Sequence, residues 1–101
     1  MICEAIALSY AARSIMADHE EILPLFNKAT GITPCNEGIV YTFDEEDWYD
    51  PDTYAEIDKR LSFLCSLDLD EYAYIRVEPD EEIYYGGNPE RFNITVNEEK
   101  L

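Results

Sequence analysis

Any chemistry in this chain falls first to carboxylates. Its 101 residues hold 23 Asp and Glu against seven Lys and Arg and one histidine. Paired carboxylates do general acid–base work when one stays neutral and the other ionised. With so many acids, some pair always falls at a suitable separation, and spacing selects none of them. A calcium loop asks for more. Begun at Asp44, an EF-hand would need an oxygen ligand and then glycine where the chain has Trp48 and Tyr49. Loops begun at Asp68 or Asp80 fail similarly. His19 has no Ser, Cys or second His at motif spacing and reads as a capping or solvent-facing residue. Gly86-Gly87 lacks the further glycine, lysine and hydroxyl of a phosphate loop and reads as a hairpin turn. Cys3, Cys35 and Cys65 are odd in number, widely spaced and form no C-x-x-C. They suit neither a disulfide framework nor zinc, and Cys3 and Cys65 read as small hydrophobes on helices. Asn93-Ile94-Thr95 has the form of a glycosylation acceptor but reads as a strand with its polar residues outward. The expectation is a protein without catalytic residues, metal or cofactor.

What distinguishes the acids is where they cluster. Between Asp44 and Glu82 the chain carries fifteen carboxylates and three bases (Lys59, Arg60, Arg76), a net of −12 out of the total of −16. Trp48, Tyr49, Tyr54, Tyr72 and Tyr74 are interleaved with them. Disorder is the rival reading of such charge. Thirteen per cent aromatic residues and regular apolar patterning argue against it. A sequence pI near 4.1 opposes direct contact with nucleic acid or with an anionic membrane, and favours a basic protein as partner.

These residues must be positioned by one α+β domain spanning 1–101. Apolar residues at Ile2, Ala5, Ile6, Leu8, Ala12, Ile15 and Met16, with no Gly or Pro between, predict a first helix over residues 2–17. Asp18 and Glu21 have capping-box spacing, and Ile22, Leu23, Leu25 and Phe26 predict a second helix kinked or restarted at Pro24 and ended by Gly31. A loop from Thr33 to Gly38 precedes a strand over Ile39 to Phe43. Asp50-Pro51-Asp52 is a helix start, with Asp as N-cap and Pro at the first helical position. Tyr54, Ile57, Leu61, Leu64 and Cys65 carry that helix to about Ser66. Alternation over Glu71 to Glu78 predicts a strand with Ala73, Ile75 and Val77 on one face and Tyr72, Tyr74 and Arg76 on the other. Pro79-Asp80 turns the chain. Two more strands are predicted, over Ile83 to Tyr85 and Phe92 to Val96, around a Gly86-Gly87-Asn88-Pro89 turn. The architecture expected is two N-terminal helices, then β-α-β-β-β, with the helices on one face of a mainly antiparallel sheet. No segment is apolar enough to span a bilayer, Glu4 and Arg13 spoil any signal-peptide reading of the N-terminus, and a cytoplasmic protein is expected.

Acids at alternate strand positions lie about 6.6–6.8 Å apart. Acids one helical turn apart, such as Asp52 and Glu56, lie about 6 Å apart along the axis. Either spacing makes a row of charge like that of nucleic-acid phosphates. The expected contact surface is Asp44, Glu45, Glu46, Asp47, Asp50, Asp52, Glu56, Asp68, Asp70, Glu71, Asp80, Glu81 and Glu82, anchored by Trp48 and Tyr49, since arginine planes stack on such rings. In type, though through no shared motif, the profile resembles the phage-encoded DNA mimics that inhibit CRISPR or restriction systems. The expectation is a non-catalytic inhibitor of a basic nucleic-acid-binding protein, a nuclease or CRISPR effector subunit. Alternatives are an immunity protein against a basic nuclease toxin, or a small regulatory or oligomerisation module, and a homodimer is among the expected states.

Overall fold

The computed structural model describes residues 2–45, 50–80 and 82–93. The chain opens with a strand, β1 (Ile2–Ser9), where the sequence pattern predicts a helix. The physical reason lies in its position. β1 is the middle strand of a five-stranded antiparallel sheet, paired on both edges, and its second face carries small apolar residues where a half-buried strand would carry polar ones, so the polar/apolar alternation disappears. Its even positions, Ile2, Glu4, Ile6 and Leu8, are all buried. Its odd positions, Cys3, Ala5 and Ala7, face the other way and are small. Tertiary pairing on both edges overrides the helical preference of alanine.

The predicted helix survives only in its second half, as α1 (Tyr10–Ala17). Ser9 ends β1 and caps α1, its Oγ accepting a hydrogen bond from the Ala12 N–H at 3.0 Å. A short α2 (Leu23–Asn27) follows with Pro24 in its first turn. It lacks the Asp18/Glu21 box, and Lys28 rather than Gly31 is its C-cap. Gly31 instead begins β2 (Gly31–Pro34), a strand where a loop is expected. β3 (Gly38–Glu45) pairs along the whole of β1. At Gly38 a side chain would meet the Leu8 carbonyl oxygen at 1.9 Å, so the close approach of the two strands requires glycine there.

The α3 helix (Pro51–Cys65) forms as the sequence predicts. The Asp50 carboxylate accepts from the Asp52 N–H at 3.0 Å, and Ser66 is the C-cap. A 3₁₀ turn at Leu69–Glu71 leads into β4 (Tyr72–Val77), which lies on the other edge of β1 from β3. β3 and β4 therefore run in the same direction, and α3 is the crossover between them. A turn at Pro79-Asp80 leads to β5 (Ile83–Gly87), the sheet's outer strand beside β4. Gly86 and Gly87 belong to β5 and not to a turn. Gly87 has φ +74°, and a side chain there would meet the Tyr72 carbonyl oxygen at 2.2 Å. The predicted final strand is replaced at its start by a 3₁₀ turn, Pro89–Phe92, ended by Asn93 in the left-handed conformation. Ile94 to Val96 lie outside the described residues.

The sheet order is β2-β3-β1-β4-β5. One core joins Ile6 and Leu8 of β1, Tyr41 and Phe43 of β3 and Tyr72 and Tyr74 of β4 to residues of all three helices, among them Met16, Phe26, Phe63 and Leu64. Phe26 lies edge-on to Tyr41, Phe43 and Phe63 at 5.2–6.2 Å. The opposite face carries Ala5, Ala7, Ala73 and Ile75. Phe92 packs over Ala7 and Ala73. No helix among the described residues is long and apolar enough to cross a membrane.

Candidate functional site

Strand register sorts the carboxylates by end. Ile2 pairs with Glu45, Cys3 pairs with Val77, and Val77 pairs with Ile83. The end of β3, the start of α3 and the β4–β5 turn therefore meet at the N-terminal end of β1. Three segments far apart in sequence deliver Asp44 and Glu45, then Asp50 and Asp52, then Glu78, Asp80 and Glu82 to this one pole. The Tyr54 hydroxyl, donating to Glu78 at 3.4 Å, ties the first turn of α3 to the end of β4. Asp44, Asp52, Asp80 and Glu82 are exposed.

Beneath the pole lies a buried charge network that the sequence reading missed. Glu4 and Arg60 are both fully buried at their side chains and paired at 2.6 Å. The second Glu4 oxygen accepts from the Tyr74 hydroxyl, also at 2.6 Å. Arg60 lies 4.1 Å over the Phe43 ring and reaches Glu45 at 3.7 Å. Arg76 donates to the Tyr74 oxygen at 3.4 Å, pairs with Glu78 at 3.2 Å and stacks on Tyr84 at 4.8 Å. Burial, and then the Glu4 carboxylate, pushes the Tyr74 hydroxyl far above its usual pKa. Glu4 and Arg60 each had a sequence signal. Glu4 interrupts an apolar run, and Arg60 falls on the same α3 stripe as Ile57 and Leu64. A lone acid and a lone base, each on a face that should be apolar, mark a buried pair.

The consequence is electrostatic. Both arginines at this pole are turned inward, with Arg60 0% and Arg76 15% exposed at the side chain, and they hold Glu45 and Glu78 from below. They leave Asp44, Asp50, Asp52, Asp80 and Glu82 facing outward without a described cation. Asp50 and Asp80 spend part of their carboxylate on local N–H groups, at Asp52 and Glu82 respectively. The Tyr84 hydroxyl donates to Glu82 at 2.5 Å, and that bond raises its pKa.

The remaining predicted residues do not join this pole. Glu56 pairs with Lys28 at 2.5 Å, so it does not continue a row from Asp52. Asp68, Asp70 and Glu71 lie at the opposite end, where Tyr72 pairs with Leu8. Glu71 accepts from the Ser9 hydroxyl, which with Arg91 lowers its pKa. Arg91 reaches Glu71 at 3.4 Å, Glu37 at 3.5 Å and the Asp70 carbonyl at 2.6 Å. Glu46, Asp47, Trp48, Tyr49 and Glu81 lie outside the described residues, so the aromatic anchor expected at Trp48 and Tyr49 does too. Tyr72 and Tyr74 are buried beneath the helices. The exposed aromatic residues include Tyr84 and Tyr85 of β5, which the sequence reading left out of the site.

One smaller reading changes, that of the cysteines, while His19 is solvent-facing as expected. Cys3 lies on a strand and Cys65 is exposed at the end of α3, so neither is a hydrophobe on a buried helical face. His19 bonds Glu21 through Nδ1 at 3.3 Å and lays its ring edge-on to Phe63 at 5.4 Å, on the wall of a groove of about 470 Å³ remote from the acidic pole. Comparison with protein-family models, with curated proteins and with solved structures finds no match.

Proposed function

We propose that this protein is a non-catalytic inhibitor that sets its acidic pole in the basic, nucleic-acid-binding groove of a partner and takes the place of the phosphates there. One observation carries the reading: seven described carboxylates from three separate segments converge on one end of the sheet, while the two arginines beside them are turned inward, Arg60 buried and Arg76 largely so. A protein using charge only for solubility has no need to turn its cations inward at one end. A groove lined with Lys and Arg offers the complementary field, which steers association and raises its rate more than its final affinity. The reading suits a phage anti-defence protein, with a CRISPR effector subunit or restriction nuclease as the partner.

The test is capture from host lysate on the immobilised chain, followed by elution with duplex DNA or with salt. A nucleic-acid-binding protein displaced by both supports mimicry. Capture that resists both would mean an apolar interface and would remove the reading. The double variant Asp44→Lys, Glu82→Lys should lose the captured protein, and Asp68→Lys, Glu90→Lys at the opposite end should keep it.

A further inference from the structure

The sheet has two outer edges, and they are unlike. β2 is four residues long and ends in Pro34, which has no N–H to offer. β5 has neither Pro nor Lys, and Tyr84 and Tyr85 are 44% and 66% exposed on it. Its bonding pattern can be read from its ends. The Glu78 N–H donates to the Glu82 carbonyl and the Asn88 N–H to the Tyr72 carbonyl, both within the antiparallel register of β4 and β5. In such a ladder, bonded and non-bonded pairs alternate. Glu82, Tyr84 and Gly86 therefore turn their backbone groups toward β4. Ile83 and Tyr85 turn theirs outward, and no described strand meets them. Native proteins blunt an edge of this kind with Lys, Pro or a covering loop, none of which the described residues supply here.

Charge selects the occupant. The strand begins at the acidic pole, with Glu78, Asp80 and Glu82 beside its first residue, and a second copy of a chain of net charge −16 would be repelled. Resting on the inhibitor reading above, we propose that the free edge of β5 takes up an extended, Arg- or Lys-bearing segment of the partner as a sixth strand. Its backbone bonds Ile83 and Tyr85, and its cations meet Glu82 and the exposed tyrosine rings. The segment's N–H and C=O groups would supply register, and the acids would supply the preference for a basic sequence.

An eight-residue peptide of alternating arginine and valine tests this on the full chain. Its counterpart, N-methylated at every residue, keeps the charge and side chains but donates no backbone hydrogen bond. The unmethylated peptide should bind at least about tenfold tighter, since each lost hydrogen bond is worth a sizeable part of that factor. It should also slow hydrogen exchange at the Ile83 and Tyr85 amides. Tyr85→Pro removes an outward N–H without touching the β4 ladder and should weaken binding of the unmethylated peptide while the chain stays folded by circular dichroism. Equal binding of the two peptides overturns the proposal. So does protection of the two amides in the free chain, whether by its own residues or by a second copy seen in sedimentation. These results leave elution by duplex DNA untouched, so edge pairing and mimicry fail separately.

Discussion

The two ends of the sheet carry similar carboxylates and treat them in opposite ways. At the N-terminal end of β1, Arg60 and Arg76 sit inside, under Glu45 and Glu78, and the outermost acids face solvent. At the other end Arg91 lies on the outside and grips Glu37 and Glu71. The lesson is that net charge says little about the field a surface projects. What matters is where the guanidinium stands: Arg91 occupies the outer surface and competes with a partner's bases for the carboxylates, whereas Arg60 is already matched by the buried Glu4 and takes no place on the contact surface.

The strongest way to break this comparison is to attack the buried side. Arg60→Met should cost about 3–5 kcal/mol, because it strands the Glu4 carboxylate in the core. Chemical denaturation reads the loss directly. Adding Glu4→Leu should recover most of it, since a well-packed apolar pair replaces a buried ion pair at little cost. If the double variant is no better than the single one, the pair does more than satisfy its own burial.

Next in size is the contrast between poles in binding. Asp44→Lys with Glu82→Lys should weaken the partner complex by roughly a hundredfold, about 2.7 kcal/mol. The same two reversals placed at Asp68 and Glu90 should change it by less than about threefold, and surface plasmon resonance at fixed salt separates the two.

Ser9 sharpens the other pole. Ser9→Ala loses the cap of α1, worth about 1 kcal/mol, and also the hydroxyl that depresses the Glu71 pKa from its ordinary 4.5. A carboxylate with a lowered folded-state pKa adds stability above its ordinary value, and that contribution disappears as pH falls through the folded one. Stability of the Ser9→Ala variant should therefore fall less steeply than that of the parent as pH drops below about 4.5, as followed by urea midpoints.

The smallest effect is that of salt. Going from about 10 mM to about 0.5 M NaCl shrinks the screening length from about 30 Å to a few ångströms and should stabilise the chain by roughly 1 kcal/mol. Asp44→Asn should reduce that gain, and Arg91→Met should enlarge it by unmasking the second pole.

How much was legible in the sequence varies element by element. The start of α3 was fully legible, because Asp50, Pro51 and Asp52 each do a job that local backbone chemistry defines. β4 was legible through its alternation. β1 was not, because small apolar residues on its second face leave no polar/apolar alternation to show, and its alanines look helical out of context. Of the candidate site, the concentration of acids was plain, but its division into two poles was not. Sequence order places Asp70 and Glu71 close after the helix that begins at Pro51. The 15-residue length of α3 carries them to the far end of the sheet.

Composition and local chemistry alone settled that this chain is acidic, has an α+β pattern and owns a capped third helix, because those properties depend on residues within a turn or two of each other. Only the tertiary structure decided which acids stand together and which of them the inward-turned arginines hold. Those outcomes come from strand pairing between residues 29 to 74 positions apart, and pairing across such distances leaves no periodic trace in the sequence.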